Sequence, residues 1–129
     1  ALGIKLARPE ATVVQMVGDG GFYFGNPSSV YAVSKQYRLP IFTVLFDNSG
    51  WSAVKEATLR VYPEGEAKAT NEFNALLAPE IEFAKICEAA GGYGERVTEP
   101  DAVPAAIQRC LKEVRGGRSA LMHVRIPVL

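Results

Sequence analysis

The chain alternates between short, unbroken apolar runs and segments whose apolar residues recur every three or four positions. Thr12–Val17 and Ile41–Phe46 have the length and the β-branched and aromatic content of buried strands. Further strands are predicted at Gly94–Val97 and Ala120–Ile126, and helices at Pro27–Tyr37, Ser52–Thr58, Pro79–Ala90 and Glu99–Arg115. The last helix carries the clearest signal. Val103, Ala106, Ile107, Cys110, Leu111 and Val114 form one stripe, Thr98 is suited to cap its start, and Gly116-Gly117 to end it. Val61–Asn71 is mostly polar and without period, so a surface loop is expected there. Strands alternating with helices predict an α/β fold with a mostly parallel sheet and helices on both faces.

The ends of the two strongest strands carry the chemistry. The first runs into Gly18-Asp19-Gly20-Gly21, the second into Asp47-Asn48-Ser49-Gly50-Trp51. Parallel sheets bind ligands at the carboxyl ends of their strands. A carboxylate, an amide oxygen and a bare main-chain carbonyl make an oxygen donor set for Mg²⁺, which completes its octahedron with substrate phosphates and water. Glycines 18, 20 and 21 allow positive φ and close approach of the backbone to an anion. Asn26-Pro27-Ser28 reads as a helix start, with Asn as the cap and Pro at the first helical position. Such a helix N-terminus near the strand end favours phosphate through its dipole and free amides.

Gly18-Asp19-Gly20, a spacer from Gly21 to Phe46, and Asp47-Asn48 together resemble the signature of thiamine diphosphate (ThDP) enzymes. More narrowly, the chain resembles the pyrophosphate-binding domain of the acetolactate synthase and 2-keto acid decarboxylase group. The likeness runs from Ala1-Leu2-Gly3 to the closing strand at Ala120–Val128. It implies a three-layer ThDP-binding fold. It also implies that Asp19, Asn48 and the Gly50 carbonyl ligate Mg²⁺, that the amides of Gly20 and Gly21 face the diphosphate, and that Gly18, Trp51 and Ser52 lie beside it. Two positions depart from the pattern. Gly21 stands where the family often has a phosphate-binding Ser, and Asp47 where it has the first Asn of a pair. Asp47 is expected to hold the loop by accepting backbone hydrogen bonds.

The resemblance further implies C–C bond chemistry beside a keto group, with the carbanion stabilised by the cofactor. The glutamate that activates the cofactor belongs to a separate pyrimidine-binding domain, reached across a dimer interface. No catalytic residue is therefore assigned in this chain, and the isolated chain is expected to be inactive. Val54 stands where related decarboxylases carry an acid, which leans toward an acetolactate synthase-like carboligase or lyase acting on a small 2-keto acid. Two other readings stand beside this one: a non-catalytic assembly domain that keeps the fold, and another Mg²⁺-dependent phosphate enzyme such as a phosphotransferase.

Bulk properties narrow the field. The 129 residues form one domain, expected to be part of a longer multidomain enzyme that is a homodimer or homotetramer. Fourteen basic and 14 acidic residues give no net charge, hence no call for nucleic acid or an anionic membrane surface. No stretch reaches the length of a membrane span. Cys87 and Cys110 lie in separate helical patterns without zinc spacing, as buried thiols of a cytoplasmic protein would. His123, the only histidine, sits in a strand pattern and reads as a core residue. Lys55 reads as part of a solvated helix face, and Lys35 and Arg38 as partners of a helix C-terminus. Phe22, Tyr23 and Phe24 suit either packing or a pocket wall.

Overall fold

The computed structural model describes residues 1–77 and 81–127. Among these residues four strands, β1 (Val14–Gly18), β2 (Phe42–Asp47), β3 (Tyr93–Val97) and β4 (Ala120–Arg125), form one parallel sheet in the order β1-β2-β4-β3. Among the described residues the helices are α1 (Leu2–Ala7), α2 (Asp19–Phe24), α3 (Pro27–Tyr37), α4 (Ser52–Val61), α5 (Glu66–Thr70), α6 (Phe83–Ala89) and α7 (Val103–Arg115).

Burial explains the apolar runs. Strands β2 and β4 are central and covered on both faces, so neither alternates polar with apolar residues. On one face α7 sets Ala106, Cys110 and Val114 against Phe42, Val44, Ala120 and Met122. On the other, Phe22 of α2, Tyr31 of α3 and Phe83, Ala84 and Cys87 of α6 enclose Leu45 and Leu121. The result is the three-layer α/β fold with helices on both faces that the sequence predicts. The two cysteines are free, fully buried and on opposite faces of the sheet. Loss of hydration holds both thiols up at about 12.

Several local expectations are corrected. Gly18, Gly20 and Gly21 do not adopt positive φ; Gly18 is extended, and Asp19-Gly20-Gly21 opens the short helix α2, which the sequence did not suggest. Asn26 precedes Pro27 as expected but is left-handed, at φ 46°, and makes no capping bond; its Oδ1 accepts the Ser28 hydroxyl instead. Thr98 does not cap α7, because a 3₁₀ turn at Pro100–Ala102 comes between them. The Val61–Asn71 stretch is not wholly irregular: α4 extends to Val61, and α5 occupies Glu66–Thr70, steadied by the Lys68–Glu64 pair. Strand β1 begins at Val14, and β4 ends at Arg125. Helix α6 begins at Phe83; Pro79, the predicted start, and Val128 lie outside the described residues. Gly116-Gly117 does end α7, with Gly117 at φ 89°.

Candidate functional site

Strands β1 and β2 are adjacent and parallel, with Gly18 level with Phe46. That register brings Asp19 and the Asp47–Gly50 loop out side by side at the carboxyl edge of the sheet. All eight residues picked out by the motif, Gly18, Asp19, Gly20, Gly21, Asn48, Gly50, Trp51 and Ser52, line one cleft there of about 300 Å³. Phe46, Ala53 and Ile126 complete its wall.

Asp19 is 2% exposed. Its Oδ1 accepts the Gly20 N–H at 2.9 Å, and its Oδ2 accepts the Gly50 N–H at 2.9 Å. One carboxylate thus ties the two loops together. Among the described residues no basic side chain pairs with it. Burial raises the pKa of this carboxyl above its ordinary value, and the neighbouring Asp47 adds to the rise, against the pull of the two amides.

Asn48 is oriented from both ends of its amide. Its Nδ2 donates to the Ser52 hydroxyl at 2.7 Å, and its Oδ1 accepts the Gly50 N–H at 3.2 Å. Gly50 faces Leu76 in an isolated antiparallel bridge, carried by Trp51 N–H to Ala75 O and Leu77 N–H to Ser49 O. The Gly50 carbonyl takes no part in that bridge. A Cβ at Gly50 would come within 2.6 Å of Ala75 O, which is why this position is glycine. Gly20 has a similar reason: a Cβ there would meet the Trp51 indole at 2.2 Å.

Asp47 holds its loop as expected, accepting the Ser49 N–H at 2.9 Å through Oδ1. The rest of its environment comes chiefly from β4. Its Oδ2 receives Arg125 Nη1 at 2.8 Å and His123 Nε2 at 2.8 Å, and Arg125 also donates to the Ser49 hydroxyl at 2.7 Å. Burial works to raise the Asp47 carboxyl, but the bonds from His123, Ser49 and Arg125 outweigh it and hold it below the usual range. His123 is buried, as its strand pattern suggested, and packs edge-on against Phe83. Arg125 was not singled out from the sequence. The available signal was Asp47 itself, a charge at a strand end that needs a partner. The β2–β4 register places Arg125 directly beside it.

The other candidates separate cleanly. Phe22 belongs to the core, Tyr23 stands edge-on to Phe83, and Phe24 is exposed with its ring centre 6.1 Å from that of Trp51. Lys55 places its ammonium 5.1 Å from the Phe73 ring centre, and Val54 is half exposed on the first turn of α4. No helix among the described residues is long and apolar enough to cross a membrane.

A cleft at the carboxyl edge of a parallel sheet, framed by glycines and a buried carboxylate, lies where open α/β proteins bind their ligands. Comparison with known proteins sharpens this. Residues 1–124 match the family model "Thiamine pyrophosphate enzyme, C-terminal TPP binding domain". The chain belongs to this family of thiamine diphosphate-binding domains, in the acetolactate synthase-like group. It is 28% identical over 126 residues to the acetolactate synthase isozyme 3 large subunit of Escherichia coli, covering 98% of this chain and 21% of that protein. It is 32% identical over 117 residues to the 3D-(3,5/4)-trihydroxycyclohexane-1,2-dione hydrolase of Lacticaseibacillus casei, covering 88% and 17%. The fold is shared with a thiamine diphosphate-dependent 4-hydroxybenzoylformate decarboxylase of Rhodococcus jostii RHA1, at TM-score 0.72 and 20% identity, over 100% of this chain and 22% of that one. The chain spans about a fifth of the length of the relatives it matches.

Proposed function

We propose that this domain holds Mg²⁺ and the diphosphate of ThDP through Asp19, Asn48 and the Gly50 carbonyl. The amides of Gly20 and Gly21 face the phosphates, and Gly18, Trp51 and Ser52 frame them. One observation carries the reading. Asp19 is a buried carboxylate with no counter-charge among the described residues, set beside the Asn48 amide oxygen, which accepts the long Gly50 bond, and the Gly50 carbonyl, which takes no part in the loop bridge. An isolated buried charge is costly, and a divalent cation at that point removes the penalty. The donor set, all oxygen and partly preorganised, fits Mg²⁺.

The cofactor, when bound, supplies carbanion stabilisation at a carbon next to a keto group. This chain's own residues bind and orient: Asp19 joins the two loops, Ser52 fixes the Asn48 amide, and Trp51 walls the cleft. The activity belongs to a longer, multidomain protein, a cytoplasmic homodimer or homotetramer in which a pyrimidine-binding domain completes the site across a subunit interface. Its reaction is carboligation or lysis of a small 2-keto acid, supported by the likeness to acetolactate synthase and by Val54 at the position following the metal loop.

The test is calorimetry of ThDP binding to the full-length protein, with and without Mg²⁺, and to its Asp19→Ala variant. Mg²⁺-dependent heat that Asp19→Ala abolishes is the expected result. Binding without regard to Mg²⁺ or to Asp19 sinks the metal assignment, and no binding at all favours the non-catalytic assembly domain.

A further inference from the structure

Arg125 makes one more contact than charge balance requires. Its Nη1 donates to Asp47 Oδ2 at 2.8 Å and to the Ser49 hydroxyl at 2.7 Å. The first contact neutralises a buried carboxylate. The second neutralises nothing, and its effect is to hold Ser49 in place. Asp47 closes the triangle, accepting the Ser49 N–H through Oδ1 at 2.9 Å. Asn48 therefore sits between two residues that a single guanidinium nitrogen joins, and Gly50 follows directly. Ser49 is 6% exposed and left-handed, at φ 60°. A residue with a Cβ keeps that conformation only where its surroundings impose it. The turn is also held from its other side, where the Ser49 carbonyl accepts the Leu77 N–H at 2.8 Å.

We propose that Arg125 is a positioning residue for the metal loop: from the end of β4 it fixes the Asp47–Ser49 turn, and through that turn the Asn48 amide oxygen and the Gly50 carbonyl that receive the cation. This rests on the reading of the cleft as a Mg²⁺–diphosphate site. Arg125 is not among the residues that line the cleft, so it acts through Ser49 and not on the ion. A loop already ordered loses little freedom when the ion binds, which is how a group outside the coordination shell sets metal affinity. His123 does not share the role, since its Nε2 reaches Asp47 and no bond ties it to Ser49. Two variants separate positioning from charge balance. Ser49→Ala removes the hydroxyl and leaves the Arg125–Asp47 pair, whereas Arg125→Met removes both contacts.

The full-length protein is titrated with Mg²⁺ in the presence of ThDP and followed by calorimetry, at a temperature where circular dichroism shows each variant folded. Arg125→Met should weaken Mg²⁺ binding about tenfold, the usual size when a group that orients a metal ligand is lost. Ser49→Ala should weaken it less. The two together should weaken it no more than Arg125→Met alone, because both remove the same contact. Val114→Ala is the control: it opens the α7 side of the core, far from the loop in the fold, and should lower stability while leaving Mg²⁺ affinity unchanged. Unweakened Mg²⁺ binding in Arg125→Met, an equal loss in Val114→Ala, or additive losses in the double variant overturns the inference and leaves the site reading intact. Absence of Asp19-dependent Mg²⁺ binding in the unmutated protein overturns the site reading and the inference together. Should Arg125→Met fail to fold, Ser49→Ala against the same control decides, and Mg²⁺ binding unweakened there overturns the inference.

Discussion

Asp19 and Asp47 leave neighbouring strands at the same edge of the sheet, and both are 2% exposed, yet the fold treats them in opposite ways. Asp47 is surrounded by its own cations and donors: Arg125, His123 and the Ser49 amide. Asp19 has only two backbone amides, and burial raises its carboxyl where that of Asp47 is held down. A charge neutralised within the fold is structural; one left without a counter-charge in a cleft is suited to bind a cation. The departure at Asp47 therefore need not weaken a diphosphate site. Its charge is balanced inside the protein, and its bonds set the Ser49 turn, at φ 60°, that positions Asn48 and Gly50.

The contrast can be broken at either carboxylate. Asp47→Ala should have the largest effect on the fold, lowering unfolding free energy by about 3 kcal/mol, because it strands buried His123 and half of the Arg125 pairing. Chemical denaturation of the metal-free protein measures this, and an unchanged midpoint would refute the structural role. Asp19→Ala should do the reverse. Its fold should survive, while Mg²⁺-dependent ThDP affinity falls about a hundredfold or more, a loss of the size expected when a metal ligand is removed outright. Arg125→Met should fall between wild type and Asp47→Ala, costing about 1–2 kcal/mol, since the guanidinium is partly solvated and His123 remains on Asp47. Equal damage from Arg125→Met and Asp47→Ala would mean that the arginine, not the histidine, carries the network.

The smallest effect sharpens the comparison through pH. In metal-free buffer, the lowered Asp47 carboxyl contributes stability that is present above its unfolded pKa, near 3.8, and is lost as pH falls through its lower folded value. The raised Asp19 carboxyl has the opposite sign. Its contribution is fully present below 3.8 and is lost as pH rises through its higher folded value. Denaturation midpoints followed downward from pH 7 should show an Asp19-dependent gain before the Asp47-dependent loss. Asp19→Ala should erase the gain, and Asp47→Asn should erase the loss and shrink the gain, because Asp47 contributes to the rise of the Asp19 carboxyl.

Much of the architecture is written locally. The α7 stripe places Ala106, Cys110 and Val114 in the core because three- and four-residue spacing leaves a helix no other face to bury. The runs that became β2 and β4 are apolar without alternation because both faces are covered. The two glycine-flanked motifs were equally legible, since the donor set lies within a few residues of each strand end. Short α2 was not: three of its first residues are Asp-Gly-Gly, poor helix formers that packing of Phe22 against Tyr31 and Phe83 holds in place. Helix α5, five residues long, likewise has too little sequence to carry a period.

The sequence by itself therefore determined the alternation of strand and helix, the helix faces, and which residues could serve as ligands, because each of these depends on neighbours within a turn or a strand. Tertiary structure alone decided which carboxylate remains uncompensated. Arg125 lies 78 residues from Asp47, and their pairing exists only because β4 inserts beside β2 in register. Trp51 reaches Gly20 only because β1 and β2 end at the same level. Strand order and register are properties of the whole sheet, set by burial on both of its faces, and no local pattern contains them.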